Sequence, residues 1–223
     1  MSGSVTIAAL SRRVLLPAVI ASMFALAGVP SVAEPLRIVV LGDSLTAGYG
    51  LAQKDAFPVK LQAALRAKGH DVEVINAGVS GDTASGGLAR LDWSVPDKTG
   101  AVILELGAND ALRAVDPSAT RKALDEAIRR LRERKIELLL AGMQAPPNMG
   151  GDYTAAFNRI FPDLAKTHGV LFYPFFLDGV AAESGLNQRD GIHPTAEGVD
   201  IIVGRILPSV EKLIAQVRAN RKN

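Results

Sequence analysis

Leu36-Arg37-Ile38-Val39-Val40-Leu41 is a nearly continuous apolar run that leads directly into Gly42-Asp43-Ser44-Leu45. A run of this kind predicts a β-strand that is buried on both faces. Four later runs share its character and predict further strands at 72–75, 101–106, 136–141 and 170–173. Stretches with helical spacing separate the strands, so the sequence predicts βαβ units and a parallel sheet.

Four helices are predicted around these strands, at 55–68, 117–134, 153–167 and from near Thr195 towards the end of the chain. The second begins at Asp116-Pro117, an N-cap residue followed by proline at the first helical position. Pro208 is expected to kink or interrupt the last helix, because proline has no N–H to donate. Since both faces of the strands are apolar, we predict an α/β fold, a three-layer α/β/α sandwich around a five-stranded parallel sheet.

Residues 1–33 have the layout of a secretory signal peptide. Arg12 and Arg13 precede an apolar run, and Ser31-Val32-Ala33 places small residues at the −3 and −1 positions. We expect cleavage after Ala33, which leaves one domain at 34–223 in the periplasm or outside the cell, with no stable membrane insertion. An uncleaved membrane anchor is the alternative, and the paired arginines also match a twin-arginine export signal.

Charge and cysteine content exclude several classes of function. The leader holds two arginines and no acid, so residues 34–223 carry 23 basic and 23 acidic side chains. This balance gives no reason to expect a nucleic-acid partner. The absence of cysteine excludes thiol nucleophiles, disulfides and thiolate metal sites, and three dispersed histidines disfavour zinc. We expect a monomer that needs neither a metal nor a cofactor.

Candidate functional residues follow three of the predicted strands. Ser44, Gly78 and Asn109 come after the first, second and third strands, and His193 lies in the loop before the last helix. Ligands of such sheets bind beyond the carboxyl ends of the strands. Asp190 precedes His193 by three residues, so one turn of chain brings a carboxylate to the imidazole. The sequence therefore predicts one site that contains all five residues.

These residues supply the parts of a hydrolase with a hydroxyl nucleophile. Ser44 would attack, His193 would accept its proton and Asp190 would orient the imidazole. Three groups could donate hydrogen bonds to a developing oxyanion: the Ser44 N–H, the Gly78 N–H and the Asn109 side-chain amide. We expect the Gly78 N–H to have no other acceptor. Taken singly, each has a plainer interpretation as a helix cap, a turn residue or a loop histidine. Their combination favours catalysis.

Four sequence segments resemble motifs of the GDSL/SGNH hydrolase family. The resemblance extends from about Leu36 to about Leu213. The segments are Gly42-Asp43-Ser44-Leu45-Thr46-Ala47-Gly48-Tyr49, Ser80-Gly81-Asp82-Thr83, Gly87-Leu88-Ala89-Arg90-Leu91 and Asp190-Gly191-Ile192-His193-Pro194. Within the family, the chain is most similar to the small bacterial multifunctional thioesterase/protease/lysophospholipase type, which is often labelled arylesterase. One departure is Ala108, where such relatives carry glycine.

The resemblance implies a flavodoxin-like fold and a serine esterase that acts through an acyl-enzyme. It assigns the catalytic triad to Ser44, Asp190 and His193, and the oxyanion hole to Ser44, Gly78 and Asn109. The substrates that the resemblance implies are small acyl esters, together with thioesters or lysophospholipids. A carbohydrate O-acetylesterase on the same scaffold and a catalytically silent binding protein are the alternatives.

Two further expectations concern apolar residues outside the motifs. Residues 143–151 resemble a mobile loop near the acyl site of those relatives, and Met143 and Met149 could form an adaptable apolar wall. The alternative is an ordinary surface connection. Trp93 is expected to pack within the fold rather than to stack on a substrate.

Overall fold

The computed structural model describes residues 1–4 and 34–220, so most of the predicted signal peptide lies outside the described residues. The fold belongs to the unit Glu34–Asn223. Within the described part of the chain, every helix is too short or too polar to cross a membrane.

Five parallel strands form one sheet, as predicted: β1 (Leu36–Gly42), β2 (Val72–Gly78), β3 (Ala101–Glu105), β4 (Glu137–Ala141) and β5 (Leu171–Tyr173). Their spatial order is β2-β1-β3-β4-β5, with every neighbouring pair parallel. This is the flavodoxin-like order, in which the chain moves first to one side of β1 and then to the other.

The helices cover both faces of the sheet: α1 (Ser44–Ala47), α2 (Phe57–Ala67), α3 (Ala84–Ala89), α4 (Leu91–Ser94), α5 (Ala108–Leu112), α6 (Pro117–Glu133), α7 (Gly151–His168) and α8 (Ala196–Asn220). Helix α2 packs with α8 on one face, and α6 packs with α3 and α7 on the other. The predicted three-layer sandwich is confirmed. Asp116 caps α6 as expected, since its side chain accepts a hydrogen bond from the Ser118 N–H.

The core lies on both sides of the two central strands. The side chains of Ile38–Leu41 in β1 and of Val102–Leu104 in β3 have no exposed surface. Apolar faces of the helices complete this core, with Leu61 and Leu65 from α2 and Phe157 from α7 fully buried. Double-sided burial explains why these strands read as continuous apolar runs rather than as alternating ones.

Two local expectations need correction. The interruption expected at Pro208 does not occur, since α8 continues through the proline, and the apolar residues on either side of it, Ile206 and Val210, are fully buried against the core. That packing offsets the backbone hydrogen bond that proline removes. Trp93 is 75% exposed on α4 and so does not pack within the fold.

The carboxyl ends of three strands lie side by side. In the sheet register, Gly42 of β1 is opposite Gly78 of β2 and opposite Glu105 of β3. The loops that follow these strands therefore begin at the same edge of the sheet. This alignment brings Ser44, Gly78 and Asn109 to a common surface.

Candidate active site

Ser44 is the first residue of α1 and is separated from the end of β1 by Asp43 alone. Asp43 caps the helix, because its Oδ1 accepts a hydrogen bond of 3.0 Å from the Leu45 N–H. Asp43, and not Ser44, is therefore the N-cap of this helix. The Ser44 N–H lies in the first turn and has no acceptor within the helix, which leaves it available to a ligand.

Ser44, His193 and Asp190 form a continuous row of polar contacts. His193 Nε2 lies 2.9 Å from Ser44 Oγ, and Nδ1 lies 2.6 Å from Asp190 Oδ2. With a neutral imidazole and an ionised carboxylate, both contacts are hydrogen bonds when Nδ1–H donates to Asp190 and Ser44 Oγ–H donates to Nε2. This arrangement allows the imidazole to accept the serine proton.

The Asp190 turn is built to hold the carboxylate ionised. Asp190 Oδ1 accepts hydrogen bonds from the N–H groups of Ile192 and His193, at 2.9 and 3.0 Å. These bonds and the imidazole contact lower the pKa of Asp190 to about 2. Gly191 has a φ of +71°, a left-handed conformation that glycine adopts without strain and that lets the turn close. Asp190 is therefore charged throughout the neutral range.

Gly78 packs directly against the helix that carries Ser44. A Cβ atom added to Gly78 would lie 2.5 Å from the Ala47 nitrogen, so a side chain would push α1 away. The Gly78 N–H is not free, contrary to expectation, since it donates to Asn76 Oδ1 at 3.0 Å. Asn76 in turn donates to the Ala47 carbonyl. An oxyanion is a stronger acceptor than this neutral amide and could take over the Gly78 N–H.

The Asn109 amide is held between two acceptors. Its Nδ2 lies 3.2 Å from Asp43 Oδ2 and 3.0 Å from the Asp82 carbonyl oxygen. Both contacts require the NH₂ group, which fixes the orientation of the amide. The donor that the sequence assigns to the oxyanion therefore points towards the segment before α3 and towards the Ser44 turn.

Two buried carboxyl groups lie beneath the Ser44 turn. Asp43 and Glu105 have no exposed surface, and the Asp43 N–H donates to Glu105 Oε2 at 3.4 Å. Burial raises the pKa of Asp43 to about 6, although the Leu45 N–H and the Asn109 amide oppose the shift. Burial, and then the charge of Asp43, raise the pKa of Glu105 well above its usual range. Burial therefore favours the neutral form of both carboxyl groups.

A second loop places an aromatic ring on the imidazole. The ring centroids of Tyr49 and His193 are 4.5 Å apart, with the rings tilted by 36°. Neither Tyr49 nor Glu105 was predicted as a site residue. A signal for Glu105 was present in the sequence, because it is the one acid in the otherwise apolar run 101–106.

An apolar cavity of about 280 Å³ opens beside these residues. Three of its lining residues, Leu45, Ala108 and Ile192, are chain neighbours of the candidate catalytic side chains. Most of the remaining wall is also apolar: Ala111, Leu112, Met143, Ala145, Pro146, Pro147, Phe175, Leu177, Ala181 and Ala182. The loop that begins at Met143 thus lines the cavity, whereas Met149 does not.

A larger cavity of about 690 Å³ lies elsewhere. Its walls include Gly100 and Ile136, which directly precede β3 and β4, so it opens at the amino ends of the strands. It contains none of the predicted site residues. In α/β sheets the opposite edge is the one that binds substrates.

A serine, an imidazole and a carboxylate in one hydrogen-bonded row, at the carboxyl edge of a parallel sheet, are typical of serine hydrolases. The GDSL-like lipase/acylhydrolase family matches residues 40–201. The chain belongs to this family.

Individual relatives agree with this assignment. Esterase TesA of Pseudomonas aeruginosa is 36% identical over 79% of this chain and 89% of its own length. Thioesterase 1/protease 1/lysophospholipase L1 of Escherichia coli is 35% identical over 79% of this chain and 84% of its own length. Among solved structures, AlinE4, an SGNH-hydrolase family esterase, is 44% identical with a TM-score of 0.69, over 82% of this chain and 98% of that one. The predicted family and enzyme class, ester hydrolase, are confirmed.

Proposed function

We propose that this protein is an exported serine esterase that hydrolyses acyl esters through an acyl-enzyme on Ser44. The observation that carries the proposal is the unbroken row from Asp190 through His193 to Ser44, with contacts of 2.6 and 2.9 Å. Proton transfer from Ser44 to His193 requires an ionised Asp190 and a neutral imidazole, with Nδ1 protonated and Nε2 able to accept.

In the acylation step, Ser44 Oγ attacks the carbonyl carbon while His193 Nε2 accepts the hydroxyl proton. The imidazolium that forms is stabilised by Asp190, which already binds Nδ1. His193 then donates the proton to the leaving group as the carbon–oxygen or carbon–sulfur bond of the substrate breaks. Water attacks the acyl-enzyme with the same base, which returns the proton to Ser44 and releases the acid.

The oxyanion of the tetrahedral intermediate rests on three donors, the N–H groups of Ser44 and Gly78 and the Asn109 amide. Gly78 exchanges its Asn76 acceptor for the oxyanion, and Asn109 shares its NH₂ group with the oxyanion. Removing one donor of such a hole typically costs about 3 kcal/mol of barrier, on the order of 100-fold or more in rate.

The apolar cavity selects the acyl group. Its walls carry few polar groups, which suits an alkyl chain better than a sugar. Relatives of this chain are named esterase and thioesterase/lysophospholipase. We therefore assign carboxylic esters as substrates, together with thioesters or lysophospholipids.

The remaining assignments concern the mature chain. Residues 1–33 act as a signal peptide, and 34–223 form the hydrolase domain, a monomer in the periplasm or secreted medium. Intact mass and gel filtration of the exported protein test both points. A mass that includes residues 1–33, or an elution volume of a dimer, refutes the corresponding assignment.

The decisive experiment compares hydrolysis of p-nitrophenyl esters from acetate to palmitate by wild type and Ser44→Ala. Ser118→Ala, which changes an exposed serine on α6, is the matched control. We expect Ser44→Ala to lose activity and fluorophosphonate labelling while Ser118→Ala keeps both. Activity in Ser44→Ala refutes the nucleophile. Activity confined to acetate favours an O-acetylesterase, and no activity in wild type favours a silent binding protein.

A further inference from the structure

We propose that Arg90 is a positioning residue that sets the spacing of the three oxyanion donors. The inference rests on the proposed function, because it assumes that Ser44, Gly78 and Asn109 form the oxyanion hole. Arg90 belongs to the Gly87-Leu88-Ala89-Arg90-Leu91 segment, to which the proposed mechanism gives no role.

The Arg90 guanidinium is buried, and each of its three nitrogens donates to an acceptor. Its side chain is 7% exposed. Nη2 donates to the Gly42 carbonyl at 2.8 Å, Nη1 to the Ala77 carbonyl at 2.7 Å, and Nε to Asp82 Oδ2 at 2.5 Å. Nη1 also lies 3.0 Å from Ser94 Oγ. A buried cation with this many partners is fixed in one geometry.

Each backbone partner of Arg90 adjoins one donor of the oxyanion hole. Gly42 precedes Ser44 by two residues at the end of β1, and Ala77 directly precedes Gly78 at the end of β2. The third partner, Asp82, holds the remaining donor with its own backbone, because its carbonyl oxygen accepts from Asn109 Nδ2. One guanidinium therefore connects all three segments.

Arginine is suited to this task, and lysine is not. The guanidinium is planar and presents its N–H groups in a rigid fork, so the directions to separate acceptors are fixed relative to one another. A lysine ammonium would keep the charge but would lose that fixed fork. The carbonyls of Gly42 and Ala77 lie where the strands end, and the fork supplies donors at that point.

Loss of the fork should change the rate rather than substrate binding. Displacements of about 1 Å at a catalytic group cost on the order of 100-fold in rate. None of the four partners of Arg90 lines the apolar cavity that holds the acyl group. A positioning role therefore predicts a fall in kcat at nearly constant KM.

The test measures kcat and KM for p-nitrophenyl butyrate with Arg90→Lys and Arg90→Gln, below the melting temperature of each variant. Arg66→Lys is the matched control, because Arg66 Nε and Nη2 donate to the Val72 carbonyl at the opposite end of β2. We expect kcat to fall about 10–100-fold in both Arg90 variants, with KM within about threefold of wild type. Arg66→Lys should keep both constants within about threefold.

Arg90→Ala adds a rescue experiment. Millimolar ethylguanidinium should restore part of its kcat, because the cation can occupy the space that the side chain leaves; equimolar ethylammonium should not. A kcat in Arg90→Lys equal to that of Arg66→Lys, or a rise in KM alone, overturns the role of Arg90. Ser44→Ala is assayed in parallel: if it is active, the proposed function fails as well, whereas an inactive Ser44→Ala confines the failure to Arg90.

Discussion

The Tyr49 ring lies against the His193 ring, with centroids 4.5 Å apart, although Tyr49 is 54% exposed. Gln188 ties the two residues together, because its Nε2 donates to the Tyr49 carbonyl and its N–H donates to the His193 carbonyl, both at 2.7 Å. The Tyr49 ring thus restricts the movement of the imidazole. A ring face next to an imidazolium also stabilises the charge that forms during acylation.

We expect Tyr49→Ala to lower kcat by about 2–12-fold, the rate equivalent of the 0.5–1.5 kcal/mol that such ring pairs contribute. Tyr49→Phe keeps the ring and should stay close to wild type. Steady-state kinetics with p-nitrophenyl butyrate measure both variants. Equal kcat values for Tyr49→Ala and wild type would show that the ring does not act on His193.

The fold was predictable because its signals are local. Apolar runs marked the five strands, and Asp116-Pro117 marked the start of α6. Strand β2, however, continues three residues past the predicted end at Ile75, because Asn76–Gly78 pair with Val40–Gly42 of β1. Pairing between distant segments decides that boundary, and local patterns do not contain it.

Site residues that belong to a recognisable sequence motif could be predicted. Residues whose role depends on their contacts in the folded structure could not. Ser44, His193 and Asp190 were proposed from their segments, and the structure places them in contact. Arg90 and Glu105 were missed, because their roles depend on which backbone atoms and carboxyl groups fold against them. The Asn76 acceptor on Gly78 was missed for the same reason.

The two methionines of the 143–151 segment differ in their position relative to the apolar cavity, so one can serve as the control for the other. Met143 is buried and lines the cavity, whereas Met149 does not line it. We expect Met143→Glu to shift preference towards short p-nitrophenyl esters, by about fourfold for each methylene that is no longer buried. Met149→Glu should leave the chain-length profile unchanged. Leu112→Glu, at a half-exposed lining position, replaces Met143→Glu if that variant does not fold, and unchanged profiles in both lining variants would contradict the assignment.

The raised pKa of Glu105 predicts that its contribution to the stability of the protein falls as the pH rises. Its pKa is well above the usual value of 4.5 in the native state, because the carboxyl is buried beside Asp43. The native protein therefore retains a proton that the unfolded chain releases once the pH exceeds about 4.5. The contribution of Glu105 to stability falls as the pH rises from that value towards its native pKa, by up to about 1.4 kcal/mol per pH unit.

Glu105→Gln should remove this dependence, because the amide has the shape of the protonated acid and its oxygen can still accept from the Asp43 N–H. We expect the melting temperature of Glu105→Gln, relative to wild type, to rise as the pH increases above about 4.5, by up to about 3–6 °C per pH unit. Glu197→Gln, at an exposed position on α8, is the control and should follow the wild-type curve. Thermal unfolding at four pH values measures all three proteins. A constant or shrinking difference between Glu105→Gln and wild type would mean that Glu105 is ionised in the native state, and that the charge of the buried pair is balanced by another group.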